Sequence, residues 1–188
     1  MRVITTEDEH AVARATLLPQ KYRHFRQSIW QNYTDIGTCA LQAGDAKLAQ
    51  KMFFEALQEA KKETNIDYRL AVSIAHTAHV NLLEGNLTAA AAAYLRALSI
   101  TRNINDAPQN FQIMIIETLG DIRISQGHFR LAKRHFARSV ELREKHASND
   151  LDGLTQAMLK HAHTLSELGD ADGALAIYQQ SKFVRNRV

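Results

Sequence analysis

Four glycines, Gly44, Gly85, Gly127 and Gly169, stand 41, 42 and 42 residues apart, and their surroundings recur with them. Eleven residues before each is a large apolar side chain (Tyr33, Ile74, Ile116, Met158), and seven before is a small one (Gly37, Ala78, Gly120, Ala162). Five residues after each is alanine (Ala49, Ala90, Ala132, Ala174). Nine after is an aromatic (Phe53, Tyr94, Phe136, Tyr178), and twelve after is again small (Ala56, Ala97, Ser139, Ser181). Self-similarity at a period of this size marks an array of one supersecondary unit, which buries its apolar face only by stacking on its neighbours.

The unit is a helical hairpin. A glycine ends a helix cheaply because it enters the left-handed region without a Cβ penalty, and the residue after it (Asp45, Asn86, His128, Asp170) is placed to cap the next helix. Small residues on either side of the turn let two helices approach, and the aromatic fills the space above them. The chain has only 2 prolines and 8 glycines, so helix formers dominate, and 45% hydrophobic residues suffice for a core. The predicted fold is all-α, a stack of about four hairpins.

These columns resemble the tetratricopeptide repeat family, over about residues 26–184, and the resemblance implies a right-handed α-α superhelix. The common unit there is ~34 residues. The longer unit here is similar to those of kinesin light chains and many bacterial regulators, and implies helices about a turn longer. The predicted pairs are 20–43 with 46–65, 67–84 with 87–104, 108–126 with 129–147, and 150–168 with 171–185. Residues 1–19 read as an arm or short helix with a Thr6–Glu9 capping box, broken by Pro19. Residues 20–188 form one repeat domain, divided at about 26–66, 67–107, 108–149 and 150–188.

The resemblance implies a concave groove lined by the first helix of each pair, at the positions ten, nine and six before each turn glycine. These are Thr34, Asp35 and Thr38; Ala75, His76 and His79; Glu117, Thr118 and Asp121; and Leu159, Lys160 and His163. Leu41, Leu82, Ile124 and Ser166 would add a floor. Such a surface suits a peptide whose backbone is hydrogen-bonded and whose side chains enter short pockets. The alternative is a solvated inner face whose histidines pair with Asp121 and Glu117. The Lys, Asn and Arg clamp by which chaperone-binding members hold a terminal carboxylate is absent, as are the paired asparagines of kinesin light chains.

No catalytic signature is present: no phosphate loop and no nucleophile elbow. Cys39, the single cysteine, falls beside the buried columns and is expected to be a packed, inert thiol. His76 and His79 share a helical face, and Asp121 and His163 occupy one row. First helices ~8–10 Å apart cannot bring all four within the ~2.0–2.1 Å of a zinc–nitrogen bond, so no metal or cofactor is expected. His161 is read as a core histidine.

Arg130, Arg134 and Arg138 recur every fourth residue, flanked by Lys133, His135 and Arg143. They are a patch for an acidic partner or the solvated convex side of a helix, diluted by Glu141 and Glu144. A net charge of +3 and no interleaved aromatics argue against nucleic acid. With no secretory leader, no membrane-length apolar run and one cysteine, the chain reads as cytoplasmic. After Tyr178 no capping helix follows, so the last hairpin is expected to pack on a second copy or a partner. The function expected is a non-catalytic scaffold or adaptor for a peptide or protein. The alternatives are a peptide-sensing regulator and a nucleic-acid-associated protein using the basic stripe.

Overall fold

The structure, a computed structural model, describes residues 20–62, 67–105, 107–147 and 149–186, with side chains from Ile29 onward in the first helix. The predicted arm, with Thr6, Glu9 and Pro19, lies outside the described residues, as do positions 63–65 at the end of the second expected helix. Eight helices are described: α1 (Gln20–Gln42), α2 (Ala46–Lys61), α3 (Tyr68–Leu83), α4 (Leu87–Arg102), α5 (Gln109–Ser125), α6 (Phe129–His146), α7 (Leu151–Glu167) and α8 (Ala171–Arg185). No strand occurs among the described residues. The helices pack chiefly against their neighbours in the chain, which makes the array an α-α superhelix of four hairpins.

All four turns are built alike. The glycines have φ of +79°, +78°, +72° and +79°. In the first turn the Gly44 N–H donates to the Leu41 carbonyl (3.0 Å) and the Asp45 N–H to the Ala40 carbonyl (2.8 Å), the Schellman pattern that satisfies a helix's last carbonyls. Asn86 with Asn81, His128 with Arg123, and Asp170 with Leu165 repeat the longer bond at 2.8, 2.8 and 2.9 Å.

The expected caps are only half present. Asp45 accepts from the Leu48 N–H (2.9 Å) and Asp170 from the Gly173 N–H (3.0 Å). Asn86 and His128 make no such bond. The Asn86 amide turns to Glu84 instead (3.4 Å), and an imidazole is not among the short oxygen-bearing side chains that favour an N-cap.

The small and aromatic columns meet across each hairpin. A Cβ on Gly37 would lie 2.6 Å from the Phe53 ring, and Gly120 stands likewise beneath Phe136. Phe53, Tyr94 and Phe136 are at most 2% exposed. The largest apolar cluster joins α3 to α6, with Ile74, Tyr94, Ile113, Ile116 and Leu119 at its centre. Tyr178, the fourth member of the aromatic column, is 44% exposed, and Leu175 beside it 55%. No fifth hairpin covers them within the described residues.

Candidate functional site

Three of the first helices, α1, α3 and α5, share a pocket of about 380 Å³. Its floor is Phe53 and Tyr94, the turn-spanning aromatics. Thr38 and Leu41 come from α1. Tyr68, Val72, Ala75, His76 and His79 come from α3, and Phe111 and Met114 from α5. Tyr68 and Phe111 meet edge to face at 5.1 Å between centroids, which closes one end. Among the described residues, no Lys, Arg, Asp or Glu is in that lining.

His76 is the polar centre of this wall. Its ring packs on Phe53 at 4.4 Å, and its Nδ1 is buried with no hydrogen-bond partner. Burial, and secondarily the neighbouring His79, lower its pKa to about 4, so it is neutral at physiological pH. A charged imidazole here would lose hydration without gaining a counter-ion.

The expected groove residues divide by repeat. Thr38, His76 and His79 come together in the pocket. Asp35 is exposed one turn earlier on α1 and accepts from the Gln31 side-chain amide (2.8 Å). Thr34 is 7% exposed and its hydroxyl donates to the Trp30 carbonyl (2.9 Å), so it faces the packed side of α1 rather than the groove. Leu82 packs against the core. Farther along, Glu117 accepts two bonds from the Arg143 guanidinium (2.7 and 3.0 Å) and one from the Ser139 hydroxyl. Arg143 also reaches Asp150 (2.6 Å), the N-cap of α7, which ties α5, α6 and α7 together. Asp121 holds the Lys160 ammonium at 2.7 and 2.9 Å. His163 is exposed.

Asp121 and Glu117 are therefore paired with Lys160 and Arg143, not with histidines. A flexible ammonium and a planar guanidinium reach these carboxylates from α7 and α6. Among the described residues no group of three metal-ligating side chains converges.

No protein-family model matches the chain, and no curated protein matches it. Solved structures do. MamA superposes with a TM-score of 0.65 at 12% identity, over 99% of this chain and 98% of that one. The nearly identical TPR-like repeats of a Podosopora anserina putative kinesin light chain superpose at 0.69 and 11% identity, over 94% and 82%. Aspartyl phosphate phosphatase F from Bacillus subtilis superposes at 0.75 and 17% identity, over 86% of this chain but 41% of that one. The chain has the tetratricopeptide-type fold.

In this tetratricopeptide-type array the basic stripe lies on α6. Arg130, Arg134 and Arg138 are exposed, and Arg138 pairs with Glu141 at 2.8 Å. Arg143 is not part of the stripe, because its guanidinium is folded into the Glu117 and Asp150 network. Cys39 is exposed rather than packed: Ala40 takes the buried position next to it, and the thiol points a third of a turn away. His161 is half-buried with an unpartnered Nε2, and burial, then Lys133, lower its pKa. No described helix is long and apolar enough to cross a membrane.

Tyr68, Val72, Phe111 and Met114 were not among the groove positions expected from the glycine register. Val72 and Met114 both stand thirteen residues before a turn glycine. That column marks the pocket's near wall.

Proposed function

We propose that residues 20–188 are a non-catalytic scaffold or adaptor that holds an extended segment of another polypeptide in the concave groove. The observation that carries this reading is the roughly 380 Å³ pocket shared by three successive first helices, a size and apolar lining typical of binding sites. Asp35, His79 and Thr38 stand at its side with polar atoms that can meet a peptide backbone. A reducing, cytoplasmic setting suits the exposed thiol of Cys39.

The test is affinity capture with the wild-type chain and with Asp35→Ala, His79→Ala and Asp121→Ala combined. Partners held in the groove are lost from the triple variant while its helical signal is unchanged. A partner retained in full by the triple variant sinks the reading.

A peptide-sensing module is the variant of this function in which occupancy changes the array's curvature. Arg130 and Arg134 make no ion pair among the described residues, and they support an acidic partner more than nucleic acid, since the stripe is not interleaved with a row of exposed aromatics. Salt-dependent RNA or DNA binding abolished by Arg130→Glu with Arg134→Glu would reverse that preference.

The exposed Leu175 and Tyr178 of α8 favour self-association or a partner contact through the last hairpin, because the equivalent aromatics are covered by the following repeat. A strictly monomeric chain in light scattering at high concentration overturns self-association.

A further inference from the structure

We propose that the concave pocket takes one large apolar side chain of a partner segment, aromatic by preference, and that Asp35 receives a Lys or Arg adjacent to that anchor. The proposal rests on the groove reading above and adds the chemistry of the occupant.

The pocket selects by what its wall lacks. Its described lining carries no Lys, Arg, Asp or Glu, so any charge entering it would be desolvated without a partner, which is costly. What the wall offers is ring edges from Tyr68 and Phe111 and the Met114 side chain, itself 41% exposed. Aromatic and thioether groups gain most from a planar apolar partner. At about 380 Å³ the space is at the small end of ligand pockets, room for one bulky side chain rather than a helix.

The charge at the rim points the same way. Of the three groove carboxylates, Glu117 is matched by Arg143 and Asp121 by Lys160. Among the described residues Asp35 has only the neutral Gln31 amide. It lies one helical turn from Thr38 in the pocket wall, on the same face of α1. An exposed carboxylate with no cation, next to an apolar pocket, complements a basic residue beside an apolar one.

The test uses blocked dipeptide amides with the full chain, read by methyl NMR at Met114 and Thr38. The probes are acetyl-Phe-Arg-amide, acetyl-Arg-Phe-amide, acetyl-Phe-Glu-amide and acetyl-Gly-Arg-amide. The better of the two Phe/Arg orders should shift both methyls and bind about fivefold more tightly than Phe-Glu, the factor that an exposed ion pair supplies. Gly-Arg should leave Met114 unmoved. In Asp35→Asn, an exposed site whose change leaves the fold alone, the preference of Arg over Glu should shrink below about twofold.

Equal binding of the Phe/Arg and Phe-Glu probes overturns the proposal, and so does an unshifted Met114 with every probe. Either result, with a captured partner still lost from the triple variant, leaves the groove reading standing and removes this one. The expected dipeptide order with a partner that ignores the triple variant does the reverse.

Discussion

A Cβ built on Gly120 would lie 2.6 Å from the Cζ of Phe136, so the ring occupies the space a side chain would need. Phe136 is wholly buried, and its neighbours leave it nowhere to go.

Gly120→Leu should therefore force α5 and α6 apart and cost more than the ~1–3 kcal/mol usual for an overpacked core. Phe136→Ala should cost ~3–5 kcal/mol through the cavity it leaves. Combining Phe136→Ala with Gly120→Leu should cost less than the sum, because each relieves the other. Chemical denaturation of the three variants measures this, and strict additivity would show that the two residues do not touch.

Gly127 is a purely backbone case. Nothing lies within 4 Å of its added Cβ, yet its φ is +72°. Gly127→Ala should lower stability by about 1–2 kcal/mol without disturbing the helices on either side. An unchanged melting midpoint would mean that the turn relaxes out of the left-handed region.

The two ion pairs of α5 should behave differently. The side chains of Arg143 and Glu117 are 14% and 20% exposed, so Arg143→Ala strands a mostly buried carboxylate and loosens Asp150 at the start of α7. Roughly 3 kcal/mol is expected. Lys160 and Asp121 are 41% and 48% exposed, and Lys160→Ala should cost below ~1 kcal/mol. Similar losses from both would contradict the burial difference.

His76 sets an acid dependence. Its folded pKa of about 4 lies below the ordinary 6.5, so between these values the unfolded chain binds more protons and stability falls as pH falls. The contribution is complete above 6.5 and gone below about 4. Between pH 7 and pH 5 it amounts to about 2 kcal/mol. His76→Gln should remove that share of the pH slope while the lowered His135 and His161 keep theirs. Urea midpoints at the two pH values, for both proteins, decide it.

The hairpins were legible because their contacts are local and repeat. A glycine turn fixes which residues of two helices face each other, so Gly37 and Phe53, sixteen positions apart, meet by geometry alone. Helix ends fell within a few residues for the same reason. The groove was less legible. The ion pairs of α5 join residues 26 and 39 apart, one within the third hairpin and one from the third to the fourth, and which long side chain reaches which carboxylate is settled by tertiary packing. The burial of Thr34 beside the exposed Asp35 turns on small rotations of α1 about its axis. Tyr68 and Phe111 escaped notice because they stand near the starts of their helices, far from the glycines that set the register.

The pocket touches α1, α3 and α5 at once, and each joint between repeats is held chiefly by its immediate neighbours. An occupant would therefore clamp two joints together, and the first three hairpins would lose their independent rocking. The fourth, fastened through Arg143 on the other side of α6, would keep its own. Binding would be felt as stiffness along three of the four hairpins rather than as a change in any single helix.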